Sequence, residues 1–293
     1  MSRFSHYLGL DWSGAKGKRQ KGIALAIADA DGGPPVLIES DGGWARAGVL
    51  AILRDSLPKN TLVGMDLGIS LPFADCEAFF PAWQDSPATA RELWSKIDAI
   101  CADDPNLEAS SFVDHPDIAP FYRRHGGREG DLFRCDGAAH GRGRLRVTES
   151  AQGEMGCKPT SNFNLVGAAQ VGKSSLTGMR MLHQLGDAFS VWPVDPLPAQ
   201  GSVICEIYTT LAAMDAGRSA SRSKIRDFDE LNIALAKLDS PPVPGKGAID
   251  DHSSDALITA AWLRKVADEP KRWAPDRLTP TIAQTEGWTF GAL

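Results

Sequence analysis

Apolar residues in this chain fall in short runs that close on charged or turn-forming positions, and the runs outline an α/β protein. YLGLD (Tyr7 to Asp11), residues 22–28 and PVLIES (Pro35 to Ser40) predict three strands. The link WSGAKGKRQK between the first two is basic and contains glycine, which predicts a hairpin and an antiparallel start. WARAGVLAILRDSL (Trp44 to Leu57) has helical spacing and is stopped by Pro58, and TLVGMD (Thr61 to Asp66) predicts a fourth strand. The order β-β-β-α-β follows.

Residues 74–162 read as an irregular, partly helical insertion, with one helix at Ala88 to Ala102 amid much Gly, Asp, Arg and Pro. FNLV (Phe163 to Val166) then reads as a strand, SLTGMRMLHQLG (Ser175 to Gly186) as a helix ending on glycine, and AFSVWPV as a short strand. VICE (Val203 to Glu206) predicts another strand and FDELNIALAKL (Phe228 to Leu238) a helix; a last long helix covers about Asp250 to Ala267. The tail beyond Pro270 carries Trp273 and Trp288 and is expected to pack on the body. These elements predict one domain over residues 1–293, a mixed sheet flanked by helices, with the insertion inside it.

Composition changes this picture little. The 293 residues are 43% hydrophobic and 23% charged, ordinary values for a globular chain. No apolar run reaches the length of a membrane span, and MSRFSHYLGLDWSG lacks a signal-peptide core, so a cytoplasmic location without membrane partners is expected. Five scattered cysteines (Cys76, Cys101, Cys135, Cys157, Cys205) predict reduced thiols. The net charge of −6 does not advertise nucleic acid, but basic residues cluster locally. The groups are Lys16/Lys18/Arg19/Lys21, Arg123/Arg124/Arg128, Arg142/Arg144/Arg146 and Arg218/Arg222/Lys224/Arg226. Each reads first as a solvated face. The first matters more because it follows Asp11.

Candidate chemistry centres on acids. Asp11, Asp66 and Glu206 each close an apolar run, and Asp255 lies in DDHSSDALITAAW (Asp250 to Trp262). A carboxylate directly after a buried strand is costly unless something pairs with it. Several hard oxygen donors from separate segments suit a divalent cation, Mg2+ or Mn2+, in phosphoryl transfer. On the last helix, Asp251 and Asp255 are four apart and His252 and Asp255 three apart, so either pair shares a face. Asp250 and Asp251 also suit N-capping, whereas Asp255 sits deeper among apolar residues.

The order of elements and their motifs resemble the RNase H-like fold, in particular a bacterial family described as predicted RNase H-like nucleases and catalogued as a domain of unknown function. The residues that carry the likeness are LGLDWSGAK (Leu8 to Lys16), VGMDLGISLPF (Val63 to Phe73), GAAQVGKSSLTGMRML (Gly167 to Leu182) with VWPVD (Val191 to Asp195), CEIYTTL (Cys205 to Leu211) and DDHSSDALITAAW. The likeness spans nearly the whole chain. It implies metal binding by Asp11, Asp66, Glu206 and Asp255. Beside them, His252 or Asp251 on the last helix is expected to assist, and Lys16, Lys18 and Arg19, just after Asp11, to hold the backbone of a nucleic-acid substrate. One departure is Thr209, where that family often has proline after the Glu-Ile-Tyr motif.

A rival motif is GAAQVGKS (Gly167 to Ser174), which satisfies the phosphate-loop pattern G-x-x-x-x-G-K-[ST]. It would make the chain a nucleotide-binding ATPase or kinase-like protein, with Lys173 on terminal phosphates and Ser174 on magnesium. LGLDWSG also resembles the first phosphate-binding hairpin of actin-like ATPases, and a non-catalytic nucleic-acid-binding protein remains a further alternative. The metal-dependent nuclease accounts for the most residues.

Overall fold

The computed structural model describes residues 3–134, 143–167 and 170–293. Cys135, Arg142 and the Ala168-Ala169 pair of the rival motif lie outside the described residues. Six strands form one mixed sheet in the order β3-β2-β1-β4-β6-β5. They are β1 (His6–Asp11), β2 (Ala24–Asp29), β3 (Gly32–Ile38), β4 (Thr61–Asp66), β5 (Ser190–Trp192) and β6 (Val203–Glu206). β1, β2 and β3 are joined antiparallel; β4 lies parallel to β1, and β6 and β5 continue parallel.

The helices are α1 (Arg46–Ala51), α2 (Ala90–Ile100), α3 (Ser110–Asp114), α4 (Val147–Glu154), α5 (Val171–Leu185), α6 (Thr209–Asp215), α7 (Phe228–Lys237), α8 (Asp251–Val266), α9 (Pro270–Trp273) and α10 (Pro280–Thr285). The bounds of β4 and β6 agree with the expectation. α1 is shorter than its apolar pattern, because the chain widens into a π-helical turn at Ile52–Ser56 before Pro58. FNLV is not a strand. Asn164 makes one bridge to Arg123, and its amide donates to Ser161 O (2.9 Å) in a tight turn. α6 was not foreseen.

Alternation along the strands divides the core in two. Leu8, Leu10, Leu25, Val63, Met65 and Ile204 project to one face, where α2 and α5 pack. The aromatic residues of the 74–162 stretch, Phe79, Phe80, Trp94, Phe112 and Phe121, join this same core. The other face is lined by small residues, Gly9, Gly64, Ala24, Ala26 and Ala28. That shallow surface lets α8 lie directly on β1 and β2. A methyl group at Gly9 would sit 2.3 Å from the Ala256 carbonyl oxygen, so only glycine permits this approach. The C-terminal tail packs as expected: Trp288 and Phe290 are fully buried, and Thr289 bridges Glu206.

Candidate active site

Side chains at successive strand positions point to opposite faces, and this parity sorts the four acids. Asp11 and Asp66 are paired in the parallel register of β1 and β4, both on the α8 face. α8 crosses that face with its N-terminal end at the strand ends, bringing Asp255 to them. All three belong to different chain segments, and Asp11 and Asp255 are almost fully buried. The charges of Asp11 and Asp255 both act on Asp66.

Glu206 stands apart. In the β4–β6 register it faces Met65, not Asp66, so it projects to the opposite side of the sheet. There Arg146 donates to both of its oxygens (2.5 and 2.8 Å), Thr289 Oγ1 donates to Oε1 (2.5 Å) and the Ile69 amide to Oε2 (2.8 Å). Arg146 also holds Glu149 at 2.6 Å and is itself 1% exposed. Arg144, fully buried, grips Asp75 and the carbonyls of Pro72, Ala78 and Phe79. Arg144 and Arg146 are therefore interior rather than on a solvated face. Their guanidinium groups are consumed by carboxylates and carbonyls.

The three acids on the α8 face have fewer donors. Thr209 Oγ1 donates to Asp66 Oδ2 (3.0 Å). His252 Nδ1 lies 2.6 Å from Asp11 Oδ2. Lys224 Nζ donates to Asp255 Oδ2 in a very short contact. Burial, then the charges of Asp11 and Asp255, push the Asp66 carboxyl up to about 8. Burial raises Asp255 to about 6 even though Lys224 pulls the other way. The hydrogen bond to Asp11 raises His252, outweighing burial. Asp250 is the N-cap of α8, accepting from the Ser253 amide (2.9 Å), and Asp251 pairs with Arg226 at 3.4 Å while its charge acts on Asp255.

As placed, no three His, Cys, Asp or Glu side chains among the described residues converge to hold a metal ion. The nitrogen partners of the carboxylates are Lys224 and His252. Two of the residues at this centre, Lys224 and Thr209, were not among the sequence candidates. Lys224 belongs to a basic run that resembles any solvated face. Thr209 was visible only as the departure from proline, and its hydroxyl is what reaches Asp66.

Asp11 and Asp66 open into a cleft of about 420 Å³ that also reaches Glu206, Thr209 and Lys224. A second cavity of about 640 Å³ lies beyond Gly14, whose backbone packs tightly on Lys173 and Ser174. Lys16, Arg128 and Lys173 line it, over the apolar side chains of Val113, Leu165 and Leu176. The buried Arg46 guanidinium fixes the intervening hairpin loop through the carbonyls of Ser13 (2.8 Å) and Ala15 (2.5 Å). Lys16 and Lys18 are exposed, whereas the Arg19 guanidinium is engaged with the Asp41 and Gly43 carbonyls (2.5 and 2.8 Å).

Among the described residues no strand leads into the rival motif, α5 already begins at Val171, and Lys173 and Ser174 line different cavities. Ser174 Oγ donates to Val171 O (2.8 Å) within its own helix. Among the described residues no helix is long and apolar enough to cross a membrane, and the four described cysteines are free thiols. No protein-family model, curated protein or solved structure matches the chain.

Proposed function

We propose that this chain is a divalent-cation-dependent nuclease of RNase H-like type, acting on nucleic acid with Mg2+ or Mn2+. The observation that carries the reading is the meeting of Asp11, Asp66 and Asp255 on one sheet face, with Asp66 driven up to about 8 by burial and its neighbours. Three carboxylates with few donors, two of them buried and Asp66 half-buried, form a site that gains stability from a cation. The RNase H-like assignment is supported by the antiparallel β1–β3 start, the helical crossover and the return of β4 parallel to β1.

The donor set fits a hard cation, since carboxylate and hydroxyl oxygens are what Mg2+ and Mn2+ prefer. Asp11 and Asp66 would hold it. Bound there, the ion would supply an activated water and neutralise charge on a phosphoryl oxygen. The protein's own groups orient these acids: His252 fixes Asp11, and Thr209 fixes Asp66. Lys16, Arg128 and Lys173 in the adjoining cavity are suited to neighbouring phosphates of a strand lying in the cleft.

The test is a nuclease panel of single-stranded, duplex and branched DNA and RNA with Mn2+. Wild type is expected to cleave at least one substrate, and Asp11→Asn to cleave none. Equal activity in the two proteins, or none in wild type on any substrate, overturns the reading.

A further inference from the structure

We propose that the carboxylate cluster takes one divalent cation per chain, at Asp11 and Asp66, and that the Lys224 ammonium fills a second cation's place at Asp255. The proposal rests on the nuclease reading above and says how many ions that site holds. Two-ion hydrolysis uses a pair of cations about 3.5–4 Å apart to serve the attacking and leaving oxygens. Here one of the three acids already has a covalently tethered cation.

Lys224 is half exposed, but the backbone that carries it is fixed. Both sides of its backbone are held. Arg218 donates to the carbonyls of Arg222 (2.8 Å) and of Lys224 itself (3.1 Å). The next residue, Ile225, is 1% exposed, and its carbonyl accepts from Ser254 Oγ at 2.7 Å. The Ile249 amide donates to Arg226 O (3.1 Å). Ser254 precedes Asp255 on α8. The base of the lysine and the acid that it meets are therefore tied together one residue away from their contact. The side chain crosses from this anchor into the cleft that Asp11 and Asp66 line, and its ammonium ends on Asp255.

Charge balance favours the same count. Lys224, and His252 where it is protonated, already offset part of the charge of the three carboxylates, so a single doubly charged ion suffices. A second ion would carry the cluster to a surplus of positive charge and would compete with the ammonium for Asp255. The Lys224 ammonium meets Asp255 directly, from a backbone that Arg218 and Ser254 hold in place. The lysine thus offers a fixed positive charge where phosphoryl transfer develops negative charge on oxygen.

The experiment counts Mn2+ per chain, by equilibrium dialysis and calorimetry, in the full-length protein without nucleic acid. Wild type and Lys224→Arg are expected to bind one ion. Lys224→Met should bind two, because removing the ammonium frees Asp255. Lys224→Met combined with Asp255→Asn should return to one. Asp11→Asn should weaken the wild-type site at least tenfold. Two ions in wild type, or one in Lys224→Met with an unchanged melting profile, overturns the count and leaves the nuclease reading standing. No ion in wild type overturns the nuclease reading itself. Lys224 is half exposed and its stem fills no core, so the methionine variant is expected to fold, and the arginine variant controls for the loss of charge.

Discussion

Two acidic groups flank the middle of the same sheet, and they differ in what surrounds them. On one face, Glu206 and Glu149 share the Arg146 guanidinium, and Glu206 has two further donors. Nearby Glu286 accepts the amides of Phe73, Ala74 and Val147 at 2.6–2.8 Å. On the other face, Asp66 has one hydroxyl donor and two carboxylate neighbours. The first group is electrostatically complete and fastens the 74–162 stretch and the C-terminal tail to the sheet. The second is incomplete. A strand-end acid is thus not a catalytic candidate by position alone. The side of the sheet it faces, and the donors waiting there, decide its role.

The comparison can be broken most sharply by function. Asp11→Asn and Asp255→Asn should each lower Mn2+-dependent cleavage by about 1000-fold, roughly 4 kcal/mol of barrier. Glu206→Gln, assayed at a temperature where it is folded, should keep its Mn2+ affinity within about threefold, a small change on the free-energy scale. Loss of metal binding in that variant with the fold intact would erase the distinction between the two groups.

Stability should divide the groups the other way. Arg146→Met leaves Glu206 and Glu149 buried without their cation and should cost about 3–5 kcal/mol in denaturant melts. Asp11→Asn keeps the side-chain volume and removes one of the crowded charges, so it should cost about 1 kcal/mol, less than Arg146→Met.

A pH series sharpens the contrast further. Asp66 has a folded-state value near 8, above its ordinary carboxylate value, so ionising it opposes folding. Its penalty is absent at low pH, where the group is protonated in both states. It grows as pH rises from about 4 to about 8, and is complete above that. In metal-free buffer, Asp66→Asn should therefore stabilise the protein by about 2 kcal/mol at pH 8 and by much less at pH 4.5. Equal effects at both pH values would mean that Asp66 is not held near its neighbours' charges. The smallest effect concerns the second cavity. Lys173→Ala should weaken oligonucleotide binding about threefold in low salt, with less effect in high salt, and ATP should not raise the melting temperature of wild type.

How much of this was legible varies with the range of the contact. β4 and β6 stand in the sequence at their observed bounds because each is an apolar run closed by an acid. FNLV has the same apolar signature, yet Phe163 belongs to an aromatic cluster with Phe80, Phe121 and Tyr122, and a buried turn satisfies hydrophobicity as well as a strand does. Asp11, Asp66 and Asp255 could be chosen from motif and position. The separation of Glu206 could not, since it depends on β6 pairing Glu206 with Met65, a register that neither strand encodes alone. Lys224 and Arg146 were hidden for a related reason. Each lies in a cluster of basic residues, and only the fold decides which cation meets solvent and which meets an acid.

The glycine at position 9 has a wider consequence. It carries no side chain and touches no reacting group, yet the gap between β1 and α8 is set by its hydrogen. Any larger residue must lift the helix, and with it Asp255, Ser254 and the segment that aims Lys224. The site therefore has a spacer made of nothing but backbone. The distance between its acids is calibrated two residues upstream of Asp11, at a position where the smallest change in bulk shifts both His252 and Asp255 at once.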